Sequence, residues 1–233
     1  MNSALFQNIT EAEKNEAVEG IIEHATPRHD FFLMLTLSVS MAAFGILLGS
    51  TVILIGSMLI APLLYPLLSL ALGIIVADEK LIGRSFYTLG KSILFGLAAG
   101  FIIGFLFSAQ DATIPFGVVV DESASLIYAL VAAIAGFAAA FAMTKPHLNE
   151  SLPGVAISVA LVPPLAAAGV ALSMFNWVVF SSAMLLFTVN MIGIVFSAMI
   201  VFSLMRFSVK RTVAQEVIKR EDEIIEREKA KKS

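Results

Sequence analysis

Four long windows of the chain contain no Asp, Glu, Lys or Arg residue. They comprise 47 residues between Asp30 and Asp78, 19 between Lys91 and Asp111, 22 between Glu122 and Lys145, and 55 between Glu150 and Arg206. A helix needs roughly 20 predominantly apolar residues to cross the hydrocarbon core of a bilayer. Because the two longest windows each have room for two crossings, the pattern predicts an all-α integral membrane protein with six transmembrane helices.

The composition excludes most other classes of protein. Hydrophobic residues make up 58% of the 233 residues and charged residues 14%, whereas soluble domains are about 45–50% apolar and about 25% charged. The net charge of −3 gives no reason to expect nucleic acid as a partner, and the absence of cysteine excludes disulfides and thiolate metal ligands. We expect crossings at about 31–49, 52–76, 85–108, 124–143, 153–174 and 178–205, separated in the longest windows by breaks at 49–51 and 176–177.

The positions of the basic residues predict the orientation. If the N-terminus is cytoplasmic, all 15 Lys and Arg residues fall on the inner side of the membrane, as the positive-inside rule requires. The first 30 residues carry five glutamates and do not have the pattern of a signal peptide. We therefore expect both termini in the cytoplasm, with a cytoplasmic N-terminal segment over 1–29, a transmembrane domain over 30–207 with halves at about 30–110 and 123–207, and a charged cytoplasmic helix over 208–233.

Both ends of the chain have the pattern of amphipathic helices. Thr10 and Glu13 fit a capping box that predicts a helix over about 11–24, ended by Pro27. The C-terminal segment alternates charges around four apolar positions, Val213, Val217, Ile224 and Ile225. This spacing suits either a solvated helix that continues the sixth crossing or a contact between subunits. We expect the protein to be a homo-oligomer.

Two similar proline motifs lie in the second and fifth predicted crossings. Pro62 and Pro66 interrupt the second, and Pro163 and Pro164 interrupt the fifth. Proline removes a backbone hydrogen bond from a helix, and such irregular backbone survives in a membrane only where protein or a wet cavity surrounds it. Since the two crossings run in opposite directions, the motifs predict two inverted three-helix halves with broken second and fifth helices around a midplane site. The alternative is that the prolines only kink two helices for packing.

The same stretches resemble the family named domain of unknown function 389. One signature of the family is matched over residues 55–66 and a second over 152–166, closing at Gly169, while Asn190 fits its last segment. The resemblance extends over roughly residues 30–205. It implies a multi-pass protein of the prokaryotic plasma membrane and supplies no substrate.

The candidate residues of a substrate pathway surround the two proline motifs. They are Gly56, Ser57, Pro62, Tyr65, Pro66, Gly154, Ser158, Pro163, Pro164, Gly169 and Asn190. Asn190 is alternatively expected to form an interhelical hydrogen bond. Lys91 is the one ionisable residue inside a predicted crossing, so it either snorkels to the headgroups or lines an inner vestibule.

These residues favour transport over catalysis. The predicted crossings contain no Asp, Glu or His, which argues against a carboxylate-based proton relay and suits a small neutral or weakly charged solute. We expect no metal, no cofactor and no enzymatic activity, because no ligand cluster, phosphate loop or nucleophile motif is present. The function indicated is a transporter or facilitator for a small solute or ion. The alternatives are an ion channel and a non-transporting scaffold or sensor acting through its cytoplasmic helices.

Overall fold

The computed structural model describes residues 10–107, 122–145 and 151–230, and within the helices the side chains of 122–126, 151–159 and 228–230 are left undescribed. In these ranges all regular structure is helical, which confirms the all-α prediction. The helices are α1 (Glu11–His24), α2 (His29–Leu47), α3 (Thr51–Met58), α4 (Leu64–Val76), α5 (Glu79–Phe107), α6 (Glu122–Met143), α7 (Ser151–Ser173), α8 (Trp177–Leu204) and α9 (Arg211–Ala230), with a short 3-10 helix at Phe207–Lys210.

Three of these helices are long and apolar enough to cross a membrane, namely α2, α5 and α8. Shorter apolar segments occur at Leu64–Val76, Ile127–Met143 and Ala160–Ser173. The predicted break after the first crossing is confirmed by Gly49, whose positive φ of 63° ends α2. The break before the sixth is confirmed by Asn176, whose side chain caps α8. The six-crossing arrangement itself stays a prediction.

The N-terminal helix begins where its capping box predicts. The backbone N–H of Thr10 donates to the Glu13 carboxylate, and the N–H of Glu13 donates to the Thr10 hydroxyl at 3.2 Å. The buried side of α1, formed by Ala17, Val18, Ile21 and Ile22, packs in a helical cluster that includes α4 and α9. The N-terminal amphipathic helix is thus part of the folded body.

The second predicted crossing is broken, as its prolines indicate. Helix α3 ends at Met58 and α4 begins at Leu64, because Pro62 has no N–H to offer the Met58 carbonyl and Ala61, which precedes it, disfavours helical angles. Pro66 is tolerated as the third residue of α4, where the backbone needs no donor within the helix. The segment from Thr51 to Val76 therefore consists of two short helices rather than one continuous helix.

The fifth predicted crossing is not broken, and the expectation of a broken helix there is wrong. Helix α7 continues from Ser151 to Ser173 with Pro163 and Pro164 inside it. Because the two prolines are adjacent, the two backbone N–H groups that are missing belong to a single turn of the helix. A side chain from another helix replaces one of these donors, as described below, and the helix persists on both sides.

Glycines set the closest helix contacts. A Cβ at Gly96 would lie 2.4 Å from Leu165, one at Gly100 would lie 3.0 Å from the Cα of Gly169, and one at Gly104 would lie 2.3 Å from the Ser173 hydroxyl. Glycine at every fourth position from Gly96 to Gly104 therefore lets the backbone of α7 approach α5 closely. This spacing of small residues is typical of closely packed membrane helices. This glycine stripe is visible in the sequence, although its partner helix is not.

Two ring contacts and the contact at Gly96 give the relative heights of α2, α5 and α7 along the bundle. Phe32 of α2 stacks on Phe95 of α5, and Phe44 packs on Phe107, so α2 and α5 run in the same direction with a constant separation of 63 positions. On the other side of α5, Gly96 meets Leu165 of α7. Pro164 therefore lies level with Phe32, about 5 Å from the start of a helix about 28 Å long.

Ion pairs join α9 to α1, to the start of α2 and to the first turns of α5, at the end of the bundle that is hereafter called the basic end. Arg28 bonds to Glu221 and Arg84 to Asp222, at 2.9 and 3.0 Å. Arg220 pairs with Glu19, which joins α9 to α1. Helices α1 and α9 thus lie at the same end of the bundle.

Candidate functional site

Asn190 supplies a donor that Pro164 removes from α7. In an unbroken helix the N–H of residue 164 would bond to the carbonyl of Ala160, and proline has no such N–H. The side-chain Nδ2 of Asn190, on α8, donates to that carbonyl at 2.7 Å. The interhelical hydrogen bond predicted for Asn190 is confirmed, and its acceptor is a carbonyl that the proline motif sets free.

The same side chain leaves its oxygen free. With Nδ2 facing the Ala160 carbonyl, Oδ1 of Asn190 points away from it, and among the described residues this oxygen has no hydrogen-bond partner. Asn190 is only 3% exposed. Burying an amide oxygen without a donor costs about 1–3 kcal/mol, so a retained free acceptor here marks a position where a ligand or water can bind.

Serines satisfy the carbonyls at the break between α3 and α4. The Ser38 hydroxyl, on α2, donates to the backbone oxygen of Ser57 at 2.7 Å, and the Ser57 hydroxyl donates to Leu54 at 2.6 Å. Both serines are fully buried. Sequence reasoning identified Ser57 and missed Ser38, whose role depends on the packing of α2 against α3.

The other predicted pathway residues have diverse environments. Pro62 is half-buried, Pro66 is buried in α4, and the Tyr65 ring stacks on His24 of α1 with centroids 4.6 Å apart. A Cβ at Gly56 would lie 3.0 Å from the terminal methyl of Met41, so this glycine helps α3 approach α2.

Three further candidate residues belong to the second motif. Gly169 has a packing role, and the other two are placed by the backbone alone. Gly169 lies in the α5–α7 contact, with the Gly100 Cα 2.7 Å from a Cβ built on it. Its surroundings are those of a close helix crossing. Gly154 and Ser158 belong to α7, in the stretch 151–159 of which only the helical backbone is described.

The helices that carry the two motifs pack against each other. Helix α7 packs against both α2 and α3, and Pro163 and Pro164 are level with the first turns of α2. The free oxygen of Asn190 and the carbonyl of Ala160 lie at about this height, one turn below Pro164.

Lys91 lies at the rim of a cleft at the basic end. Its Nζ is 5.0 Å from the Phe32 ring centroid and 5.1 Å from that of Tyr87, within the range of cation–π attraction. The cleft has a volume of about 590 Å³ and separates the start of α2 from α5 and α9. Lys91 lines this cleft together with His29, the first residue of α2.

The comparison with known protein families matches the part of the chain that contains both proline motifs. A model of the family described as "Domain of unknown function (DUF389)" matches residues 58–196, more than half of the chain. The chain belongs to this family. The DUF389 match includes the Ala160–Asn190 pair and the α4, α5 and α7 helices, whereas α1 and α9 lie outside it.

The chain is also similar to an archaeal protein that is described as uncharacterised. The chain is 35% identical over 209 residues to an uncharacterised protein of the archaeon Methanocaldococcus jannaschii. The alignment covers 85% of this chain and 64% of the relative, so the chain spans less than two thirds of that protein's length. No solved structure matches the chain.

Proposed function

We propose that this DUF389 protein is a polytopic membrane transporter or facilitator for a small solute or ion. The observation that carries the proposal is the Asn190–Ala160 pair, a buried polar group beside a proline-interrupted helix. Buried polar groups are costly in a membrane and are commonly associated with substrate paths. The substrate contacts the free amide oxygen and the carbonyls near the two proline motifs.

The pattern of helix contacts supports two inverted halves, one from α2 to α5 and the other from α6 to α8. Helix α2 packs on α5 as α6 packs on α8, and α4 packs on α5 as α7 packs on α8. Across the halves, α5 packs on α7 and α8 packs on α4. The contact between α2 and α7 stands outside this correspondence. In the proposal α3 and α4 together form the second crossing and α7 the fifth, giving six crossings.

The chemistry of the site selects the class of substrate. The free oxygen of Asn190 is an acceptor, and Leu161, Val162 and Leu165 around the proline turn are buried and apolar. Such surroundings suit a small neutral solute with a hydrogen-bond donor, or a weakly hydrated cation. The path opens at the basic end, which the proposal assigns to the cytoplasmic side of a prokaryotic plasma membrane.

Flux measurements with purified protein in liposomes test the proposal. A panel of small neutral solutes and monovalent ions should include at least one whose entry the protein accelerates. Asn190→Ala should change the rate or the selectivity of that flux, because the substrate loses its acceptor. Saturation with substrate concentration would indicate a carrier, and stepwise currents would indicate the alternative, a channel.

A neighbouring residue provides the matched control. Thr188, two positions before Asn190 on α8, uses its hydroxyl to bond Met184 within its own helix. Thr188→Val should leave flux unchanged. If no member of the panel moves, or if the Thr188 and Asn190 variants behave alike, transport through this site is refuted.

A membrane scaffold or sensor is the alternative, and a homo-oligomer is part of either proposal. The outer side of α9 carries exposed charges, including Arg211, Glu216 and Lys219, which a partner or a second subunit can contact. Removing charges on this side should leave flux intact in a transporter and abolish partner binding in a scaffold. Light-scattering mass in detergent measures the oligomer.

A further inference from the structure

The cleft at the basic end has the composition of an anion site. Four basic side chains line it, from Arg28, Lys80, Arg84 and Lys91, together with two carboxylates, from Glu79 and Asp222. Asp222 is shared by Lys80 and Arg84. The positive charge of the cleft therefore exceeds the negative charge that its own lining supplies.

Lys91 is the cation in this cleft whose donors are unused. Within the described residues its ammonium group lies near aromatic faces and forms no ion pair or hydrogen bond. Aromatic rings attract a cation without accepting its protons in conventional hydrogen bonds. The three N–H donors of this half-buried lysine are thus available to an anionic oxygen.

The start of α2 adds a second source of positive potential. Arg28 occupies the N-cap of α2 without capping it through its side chain, and Asp30 is the acidic residue of the first turn. The N–H groups of this turn therefore have no side-chain cap, and Arg28 and His29 line the cleft. One guanidinium arm of Arg28 bonds to Glu221, while its buried Nε has no partner in the described part of the chain.

The position of the cleft decides what kind of anion reaches it. Phe86 and Tyr87, beside the cleft on α5, are 59% and 58% exposed. Exposed aromatic residues next to basic residues at the end of an apolar helix are characteristic of the headgroup region of a bilayer. Such a position suits the phosphate of a lipid molecule whose acyl chains lie along α2 and α5.

We propose that this cleft binds the phosphate of an anionic phospholipid of the cytoplasmic leaflet. The lipid phosphate accepts hydrogen bonds from Lys91 and from the open backbone at the start of α2, and Tyr87 packs against the glycerol. The site is separate from the proposed path at Asn190. A bound lipid would join α2, α5 and α9, the elements that close the basic end.

Native mass spectrometry of the full chain in detergent tests the lipid site. The probes are palmitoyl-oleoyl phosphatidylglycerol and palmitoyl-oleoyl phosphatidylcholine. Phosphatidylglycerol should bind more tightly, and Lys91→Gln should weaken its binding by about fivefold, the loss typical of one basic residue at a membrane surface. Lys91→Arg should retain binding, which separates loss of charge from loss of folding.

The control is Lys219→Gln, which removes an exposed basic residue on α9 that does not line the cleft. Its affinity for phosphatidylglycerol should equal that of the unchanged protein. Soluble glycerol 3-phosphate should not displace the lipid. Equal binding of both lipids, equal effects of the Lys91→Gln and Lys219→Gln variants, or full displacement by glycerol 3-phosphate would each overturn the lipid site. Because no flux is measured, the result is independent of whether the protein transports a solute.

Discussion

Arg28, at the start of α2, donates to the Glu221 carboxylate of α9 at 2.9 Å across 193 positions of the chain. The Glu221 side chain is 2% exposed, whereas the Arg28 side chain is 34% exposed. The carboxylate is therefore the partner that cannot return to water. This pair attaches the C-terminal helix to the first long apolar helix.

Glu221→Ala should loosen α9 from the bundle. The substitution leaves Arg28 without its acceptor in a partly buried position, and such losses cost about 1–3 kcal/mol. Hydrogen exchange of the amides over 211–227 should accelerate, while exchange in α5 stays unchanged. Glu223→Ala, at an exposed position two residues away, is the control. Unchanged protection of α9 in the Glu221 variant would show that the pair does not hold the helix.

Gly100→Ala should destabilise the bundle because α5 and α7 touch there. The added methyl group would meet the Ala166 carbonyl at 2.9 Å and the Gly169 Cα at 3.0 Å. These are backbone atoms, so the helices must separate, at a cost of about 1–3 kcal/mol. Thermal denaturation in detergent should show a lower midpoint.

Gly90→Ala is the matched control on the same helix. A Cβ at Gly90 meets nothing within 4 Å, and replacing a helical glycine with alanine contributes about 0.5–1 kcal/mol of stability. The midpoint should therefore rise in this variant and fall in Gly100→Ala. A fall of equal size in both would indicate that the glycine stripe has no special packing role.

A double-mutant cycle tests whether Asn190 replaces the donor that Pro164 lacks. Asn190→Leu should cost about 1 kcal/mol in the unchanged background. In Pro164→Ala the restored N–H competes for the Ala160 carbonyl, so the same change should cost less, with a coupling of at least about 0.5 kcal/mol. Denaturant unfolding of the four proteins in micelles measures the coupling. Strict additivity would disprove the capping role.

The ionised carboxyl of Asp78 should make the stability of the basic end depend on pH. Burial raises the pKa of its carboxyl, but hydrogen bonds from the Leu81 backbone N–H and the Gln215 side chain, together with the charge of Arg211, outweigh it and lower the pKa below 3.8. A carboxyl whose pKa is lower in the folded state stabilises the fold above its unfolded pKa. This stability is lost as the pH falls from about 4 through the folded pKa.

Release of α9 should therefore begin below about pH 4, since Gln215 of α9 donates to Asp78 at 2.9 Å. Asp78→Asn keeps a side-chain acceptor for the Leu81 N–H without a titrating group. It should remove this acid-dependent step, as measured by hydrogen exchange of α9 against pH. An identical acid profile in the variant would assign the step to another carboxylate.

Local features were predictable because they depend on neighbouring residues. The Thr10–Glu13 capping box predicted the first residue of α1, and Pro62 predicted the interruption after Met58. Asn190 was identified as a candidate, yet its partner was not, because Ala160 lies 30 positions away. Ser38 was missed for the same reason, since its acceptor belongs to the following helix.

The sequence by itself determined the helical class, the apolar segments and the concentration of basic residues at their ends. Bilayer thickness and proline geometry act on residues close together in the chain, so these features follow from sequence order. Only the tertiary structure decided that α7 continues through its prolines and that Pro164 lies level with Phe32. It also placed Lys91 beside the start of α2. These results depend on the relative heights of packed helices, which are set by contacts such as Gly96 with Leu165.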